Sequence, residues 1–190
     1  MRGEWCYFKA NFDAVWCNYI VEVLKRRPAS PATIGVEGTK VNEGLRKSSI
    51  WFVRPDDAEL KFIFPELWKL ALQANDDWFG FHLSRLNYVQ IARYESESGD
   101  RYGRHHDVFW LNRDPAYHRK LSCVVQLTNP ADYEGGDLVF HGVEEQPSVA
   151  EMREQGTAVF FPSFVEHEAK PVVKGVRYSI AAWFDGPKWR

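Results

Sequence analysis

After Gly80 the sequence becomes a series of short apolar or alternating segments, and this pattern constrains the fold more than any other feature. The segments are NYVQIARY, RYGRHHDVFW, KLSCVVQLT, GGDLVFHG, GTAVFFP, EHEAKPVV and RYSIAAWF, with Gly, Pro, Asn and Asp between them. Short apolar segments separated by turn residues are typical of the strands of a β-sandwich or barrel. The paired glycines Gly135 and Gly136 predict a tight hairpin within this region, because they adopt turn conformations without steric cost.

Two helices are predicted before this strand-rich region. The first is AVWCNYIVEVLKRR, with Asp13 as its N-cap and an apolar stripe formed by Val15, Tyr19, Val23 and Leu24. The order of helices followed by strands indicates an α+β chain in which the helices buttress one face of the β-structure.

The second predicted helix is PELWKLALQAN, with Pro65 as its first residue and Leu67, Leu70 and Ala71 as its apolar stripe. Between the two helices, residues 29–49 are rich in Pro, Gly, Ser and charge, which predicts an extended, mobile connection leading into a strand at SSIWFV.

Size and charge exclude several classes of protein. A chain of 190 residues suits one domain with a sizeable core. Its 24 Lys and Arg against 26 Asp and Glu give no basic excess for nucleic-acid binding, and no apolar run reaches the length of a membrane span. Three widely spaced cysteines without a CxxC pair argue against a disulfide framework or a cysteine-based zinc site. We therefore expect a cytoplasmic protein.

The segment RYGRHHDVFW contains a candidate metal site. Side chains alternate along a strand, so His105 and Asp107 can point together while His106 points away. His167 begins another predicted strand, and sheet closure could bring it beside the first pair. Two histidines and one carboxylate suit Fe(II) with open coordination positions, although such a set could also hold catalytic zinc. The alternative is that these residues are hydrogen-bonded strand residues without a metal.

Arg177 is a second candidate, because it enters an apolar strand in GVRYSIAAWF. By alternation it shares a face with Ser179 and Ala181, whose small side chains leave room for a bound group. A planar guanidinium there suits a carboxylate held by two hydrogen bonds. An internal ion pair or an exposed position is the alternative.

Three stretches together carry a family resemblance. ARYESESGDRYGRHHD, YEGGDLVF and FPSFVEHEAKPVVKGVRYSIAAWFDGP occur in this order within about residues 87–187, and they resemble the Fe(II)- and 2-oxoglutarate-dependent dioxygenases of the prolyl 4-hydroxylase type, including the PKHD-type hydroxylases. The resemblance implies a double-stranded β-helix, or jelly roll, over about 81–187. A helical and lid-forming part, about 1–80, completes a single domain of residues 1–190, and residues 29–49 resemble the segment that folds over the substrate.

The resemblance also implies roles for individual residues. It makes His105, Asp107 and His167 the iron ligands and Arg177 the partner of the distal carboxylate of 2-oxoglutarate. The side chains of Tyr94, Tyr102 and Gln126 match further cofactor-binding positions, although the ESES stretch looks like a small insertion after the first of them. The alternatives are a packed strand aromatic for Tyr102 and a hydrogen-bonded core amide for Gln126. An amide at the third position can still donate to a carboxylate.

The implied reaction is hydroxylation of an unactivated C–H bond with Fe(II), 2-oxoglutarate and O2, and members of the family also bind ascorbate. The leading substrate is a proline in a peptide or protein, which Trp110 could stack on and Arg119 could contact, although a solvated loop charge is the alternative for Arg119. A free amino acid or other small molecule is an alternative substrate. A non-oxidative metal-binding jelly roll, such as a zinc hydrolase or isomerase, and a non-catalytic ligand-binding module are alternative functions.

Overall fold

The computed structural model describes residues 3–33, 42, 44–110, 114 and 116–189, which form two antiparallel sheets with two long helices against the outer face of the larger one. Twelve strands lie in these residues. They are Cys6–Phe8 (β1), Ser30–Pro31 (β2), Arg46–Lys47 (β3), Ser49–Val53 (β4), Val89–Glu95 (β5), Arg101–His105 (β6), Tyr117–Gln126 (β7), Tyr133–Gly135 (β8), Leu138–His141 (β9), Ala158–Pro162 (β10), Glu166–Ala169 (β11) and Val172–Pro187 (β12).

The larger sheet has the order β1-β10-β7-β12-β5-β4-β2, with β8 added to β12, and the smaller sheet has the order β3-β6-β11-β9. Neighbours in each sheet are far apart in the chain, as in a jelly roll. The predicted α+β fold with a jelly-roll core is confirmed by this architecture. Both sheets also take strands from before residue 81, since β1 to β4 join them.

The helices are Ala14–Lys25 (α1), Ile63–Ala74 (α2) and Val149–Arg153 (α3). Asp13 caps α1 as predicted, because its carboxylate accepts a hydrogen bond from the backbone N–H of Trp16. The predicted apolar stripe was partly wrong, since Val15 is 77% exposed and Tyr19 45% exposed. The buried side chains of α1 are instead Cys17, Ile20, Val23 and Leu24.

Helix α2 begins two residues before Pro65, not at it. Ile63 and Phe64 are buried, so packing against the core draws this turn into the helix, and Pro65 fits there because N–H groups of the first turn have no helical partner. The predicted stripe of Leu67, Leu70 and Ala71 is buried, as expected. A π-helical turn, Asn75–Phe79, extends the helix to Gly80.

Strand β12 shows how the larger sheet uses its two faces. Ile180 and Ala182 are fully buried in the cluster that joins this sheet to α1 and α2. Ser179 and Ala181 line a cavity on the opposite face, toward the smaller sheet. The predicted alternation along RYSIAAWF is therefore confirmed, and it separates a hydrophobic core from a cavity lined partly by polar groups.

The predicted hairpin at Gly135 and Gly136 is wrong. Strand β8 pairs with β12 of the larger sheet, whereas β9 pairs with β11 of the smaller sheet, so the glycines carry the chain from one sheet to the other. Both have positive φ, 73° and 66°, and a Cβ on Gly135 would lie 2.4 Å from the carbonyl oxygen of Pro171. The glycines are thus needed for a close backbone crossing and not for a two-residue turn.

Two other segments differ from the prediction. EHEAKPVV is not one strand, because Pro171 separates β11 from β12. The connection predicted for residues 29–49 contains β2 and β3, which pair with β4 and β6 in different sheets. The centre of that predicted lid, residues 34–41 and 43, lies outside the described residues. Within the described residues, no helix is long and apolar enough to cross a membrane.

Candidate active site

Strand pairing brings the two predicted histidine ligands together. His105 is the last residue of β6, His167 lies in β11, and the two are directly opposite each other in this antiparallel pair. Their imidazole centroids are 4.3 Å apart. Strands β6 and β11 are neighbours in the sheet but are not consecutive in the chain. Their pairing therefore places residues from distant parts of the sequence side by side.

Asp107 completes a group of three possible metal ligands. Its Oδ1 is 3.8 Å from Nε2 of His105 and its Oδ2 is 3.6 Å from Nε2 of His167. One ligand atom from each of the three residues can be chosen so that all lie within 4.8 Å of one another. Two imidazoles and one carboxylate thus converge, as predicted.

Backbone carbonyls orient both imidazoles. Nδ1 of His105 donates to the carbonyl of Gly103 at 2.8 Å, and Nδ1 of His167 donates to the carbonyl of Val165 at 3.0 Å. A carbonyl can only accept, so Nδ1 carries a proton in each ring, and in the neutral tautomer Nε2 has a free lone pair. Burial, with a smaller effect of His167, lowers the pKa of His105 to about 4, so its imidazole is neutral at neutral pH. The carbonyl contacts fix both rings in the orientation in which Nε2 can bind a metal.

Buried hydroxyl groups hold the Asp107 carboxylate. Ser122 donates to Oδ2 at 2.7 Å, and the hydroxyl of Ser163 lies 2.9 Å from that of Ser122. Burial raises the pKa of Asp107, but His167, His105 and the Ser122 hydrogen bond outweigh it and bring the pKa to about 2. The carboxylate is therefore ionised and fixed in orientation, which suits a metal ligand.

The position of Asp107 has a different cause from the one predicted. Strand alternation would require His105 and Asp107 to belong to one strand, but β6 ends at His105. The backbone N–H of Asp107 instead donates to the carbonyl of Ser163 at 2.8 Å. The carboxylate reaches the histidines because the chain after β6 is tied to the residue that follows β10. His106 is exposed and is not among the residues that line the cavity, which agrees with the prediction that it points away from the other two.

Arg177 lies in the same cavity, opposite Tyr94 in the pairing of β12 with β5. Its Nε and Nη2 donate to Oε1 of Gln126 at 3.2 and 2.9 Å, and its guanidinium carbon is 5.4 Å from the centroid of the Tyr94 ring. Gln126 is thus behind Arg177 and is not among the residues that line the cavity. A Cβ on Gly136 would lie 2.9 Å from Cδ of Arg177, so this glycine leaves room for the side chain.

Tyr102 also lines the cavity and covers one metal-ligand candidate. Its ring stacks on the imidazole of His105, with centroids 3.5 Å apart and planes inclined by 13°. Burial raises the pKa of Tyr102 to about 12, so its phenol is neutral. Arg46 of β3, which no sequence pattern marks as a site residue, lies opposite Tyr102 and places its guanidinium carbon 4.3 Å from the Tyr102 ring centroid.

Arg119 is not a solvated loop residue, since it lies within β7. A register shift between β7 and β12 places Leu121 opposite Phe184 but Arg119 opposite Asp185. This bulge places Arg119 next to Trp183 at the side of the cavity, where simple alternation from Ser122 would put Lys120, although Arg119 is not among the residues that line the cavity. No local sequence signal marks the bulge.

Arg119 connects the cavity to an aromatic patch made of Phe52, Tyr88 and Trp183. Its guanidinium carbon is 3.9 Å from the Trp183 ring centroid and its Nη2 donates to the Tyr88 hydroxyl at 2.8 Å. Trp183 lines the cavity, and Phe52 is 56% exposed. Trp110 is 49% exposed and is not among the cavity-lining residues. The site therefore opens onto a mixed aromatic and cationic surface.

The geometry agrees with comparisons to known proteins. A family model described as the 2OG-Fe(II) oxygenase superfamily matches residues 89–185. A PKHD-type hydroxylase of Aliarcobacter butzleri (strain RM4018) is 34% identical over 91 residues, which are 46% of this chain and 39% of the relative. Another, of Janthinobacterium sp. (strain Marseille), is 27% identical over 160 residues, covering 80% of this chain and 64% of the relative. The chain thus spans less than two thirds of these relatives' length.

Solved structures show the same fold. A Pseudomonas putida prolyl-4-hydroxylase has a TM-score of 0.72 and 27% identity, and the match covers 96% of this chain and 92% of that one. A Trichoplax adhaerens prolyl hydroxylase, solved with a peptide fragment of the hypoxia inducible factor oxygen degradation domain, has a TM-score of 0.73 and 20% identity, with 96% and 83% coverage. The second similarity concerns the fold alone.

Proposed function

Because the chain belongs to the 2OG-Fe(II) oxygenase superfamily, we propose that it is a 2-oxoglutarate-dependent dioxygenase whose metal ligands are His105, Asp107 and His167. The observation that carries the proposal is the convergence of two oriented imidazoles and one carboxylate within 4.8 Å. This donor set fits Fe(II) and leaves coordination positions open. Bound Fe(II), with 2-oxoglutarate and O2 as co-substrates, supplies the oxidising chemistry that hydroxylates a C–H bond and yields succinate and CO2.

The other cavity residues bind and orient. Gln126 is a neutral acceptor, so its hydrogen bonds leave the Arg177 guanidinium without a counter-charge. Arg177 holds the distal carboxylate of 2-oxoglutarate through the guanidinium edge that Gln126 leaves free. Tyr94 and Tyr102 form walls of the same cavity and restrict the orientation of the co-substrate. Ascorbate binding is retained as a proposal from the family resemblance.

The proposed substrate is a proline in a peptide or protein. The aromatic patch of Phe52, Tyr88 and Trp183 offers flat apolar surfaces for a pyrrolidine ring. Arg119 lies beside Trp183 as a donor for a peptide carbonyl. The similarity to the Pseudomonas putida prolyl-4-hydroxylase supports this choice. Trp110, exposed beyond the cavity, is a further candidate for stacking on a peptide. A free amino acid remains the alternative substrate.

Two measurements test the proposal. Anaerobic addition of Fe(II) and 2-oxoglutarate should produce a weak visible charge-transfer band, and its absence together with tight zinc binding would contradict the oxygenase assignment. Succinate formation is then measured with prolyl peptides and with free amino acids. An increase that depends on a prolyl peptide supports the proposed substrate, whereas an increase only with free amino acids favours the alternative.

Neighbouring histidines provide a matched control for the metal site. His105→Ala should abolish metal binding and turnover, because it removes one of three ligands. His106→Ala should retain both, since His106 is exposed and outside the cavity lining. The reverse result would contradict the ligand assignment. Arg177→Ala should sharply raise the 2-oxoglutarate requirement while the metal stays bound, which titration of each in turn would show.

Two broader predictions are retained as proposals. We propose that residues 1–190 form one catalytic domain, since strands from before residue 81 pair with strands of the jelly roll. We also propose a cytoplasmic location, supported by Cys6, Cys17 and Cys123, which are all free and buried.

A further inference from the structure

Arg46 is a buried cation at the end of a three-layer stack. It is 5% exposed, lies opposite Tyr102 and lines the cavity that contains the candidate metal ligands. Its guanidinium carbon is 4.3 Å from the Tyr102 ring centroid, and that ring stacks on His105 at 3.5 Å. The cation is therefore held close to the metal site by a strand that does not contribute a metal ligand.

The hydrogen bonds of Arg46 are incomplete. Its Nη1 donates to the carbonyl of Thr33 at a long 3.4 Å, and its buried Nε has no hydrogen-bond partner. Within the described residues, Arg46 forms no ion pair with a carboxylate. A buried guanidinium with so few acceptors is costly, because its charge and its donors are both removed from water. Such a group in a cavity wall suits an anionic ligand.

The charges of the cavity favour a carboxylate beyond those of 2-oxoglutarate. Among the described lining residues, the ionised side chains are Arg46, Arg177 and Asp107, since an imidazole that binds a metal must be neutral. These two cations and one anion give the cavity a net charge of one positive unit, and a bound divalent metal ion raises this net charge to three. The 2-oxoglutarate dianion lowers it to one, which a single further carboxylate neutralises.

We propose that Arg46 binds a carboxylate of the primary substrate. This inference rests on the proposed dioxygenase function and narrows its substrate class to molecules that carry an acidic group near the hydroxylated carbon. A C-terminal proline, a proline beside Asp or Glu, and a free amino acid all satisfy this condition. Arg46 is then a specificity-determining residue. Its role differs from that of Arg177 in β12, which is hydrogen-bonded to Gln126 and binds 2-oxoglutarate in the proposed function.

The test uses protein loaded with Mn(II), which keeps the metal site filled without turnover, and isothermal titration calorimetry. The first arm measures the affinity for 2-oxoglutarate in the wild type, Arg46→Gln, Arg177→Ala and Lys47→Gln. Lys47 is the matched control, because it is the adjacent cation in β3 and is not among the cavity-lining residues. We expect a large loss only in Arg177→Ala.

The second arm adds probe pairs to the complex with 2-oxoglutarate. The pairs are L-proline with L-prolinamide, and acetyl-Pro-Asp-amide with acetyl-Pro-Asn-amide, so that each pair differs in one carboxylate. We expect the wild type and Lys47→Gln to prefer the carboxylate member of at least one pair by about tenfold or more, as for a hydrogen-bonded charge pair. Arg46→Gln should lose the preference, and Arg46→Lys should recover part of it.

The outcomes separate the two proposals. If the wild type does not bind 2-oxoglutarate, the dioxygenase function itself fails. If it does, but Arg46→Gln weakens 2-oxoglutarate about tenfold and keeps the probe preference, the carboxylate that Arg46 binds belongs to the co-substrate, and the substrate assignment is overturned. If the wild type shows no preference, or Arg46→Gln keeps it with unchanged 2-oxoglutarate affinity, Arg46 only stacks on Tyr102. Circular dichroism and the unfolding midpoint verify that each variant is folded.

Discussion

Ser122→Ala should weaken metal binding without removing a ligand. Ser122 is 1% exposed and donates to Oδ2 of Asp107 at 2.7 Å, while its oxygen also contacts the hydroxyl of Ser163 at 2.9 Å. The substitution deletes one oxygen in a buried site, so the Asp107 carboxylate loses a hydrogen-bond donor and part of its fixed orientation.

The magnitude follows from the charge on Asp107. A hydrogen bond to a charged group contributes about 1.5–3 kcal/mol, and partners of metal-ligating carboxylates typically change metal affinity by about 10- to 100-fold. We therefore expect the Kd for Mn(II) or anaerobic Fe(II) to rise by about 10- to 100-fold. The pKa of Asp107 should rise as well, because the Ser122 hydrogen bond is one of the contacts that keep it low.

Metal titration by calorimetry measures the change in Kd. Urea unfolding of the metal-free protein, repeated as the pH is lowered, measures the change in the pKa of Asp107. Ser179→Ala is the control, since Ser179 lines the same cavity but makes no hydrogen bond to the three candidate ligands among the described residues. Ser163→Ala should have a smaller effect, because the bond from Ser122 to Asp107 remains. An unchanged metal Kd in Ser122→Ala would refute the view that this hydroxyl positions the carboxylate.

Three further predictions concern Arg177 and His105. Gln126→Leu removes the acceptor of two Arg177 hydrogen bonds and should cost about 1–3 kcal/mol of unfolding free energy, measured by urea titration; no loss would contradict the role of this pair. Gly136→Ala should weaken 2-oxoglutarate binding about tenfold in calorimetry by crowding Arg177, whereas Gly142→Ala, with a similar φ of 70° and open space, should not. The pKa of His105 is about 4 in the folded protein against 6.5 ordinarily, so the unfolded chain takes up a proton first as pH falls. The unfolding free energy of the metal-free protein should therefore fall by up to about 3 kcal/mol between about pH 6.5 and pH 4. In denaturant titrations, His105→Asn should reduce this dependence of the unfolding free energy on pH.

Local features of the fold could be predicted from the sequence because short-range rules determine them. The cap at Asp13, the buried stripe of α2 and the alternation along RYSIAAWF depend only on residues a few positions apart. Where a second constraint competed, the prediction was wrong. Packing against the sheet extends α2 to Ile63, and it selects Cys17 and Ile20 instead of Val15 as part of the buried face of α1.

The candidate ligands could be chosen from the sequence but their geometry could not be derived from it. Residue types that suit a divalent metal identified His105, Asp107 and His167. The pairing of β6 with β11, and the hydrogen bond from Asp107 to Ser163, are what bring them within reach. These contacts join residues about 60 positions apart, and strand order in a jelly roll leaves no local signal.

Patterns within the sequence predicted most strands after residue 80, the two long helices and the set of residues capable of the chemistry. Three features appear only in the tertiary structure: the crossing of Gly135 and Gly136 between sheets, the bulge that turns Arg119 toward Trp183, and the stacking of Arg46 on Tyr102. The physical reason is that side-chain periodicity is encoded locally. Strand register, bulges and sheet crossings depend on hydrogen bonds to strands from distant parts of the chain.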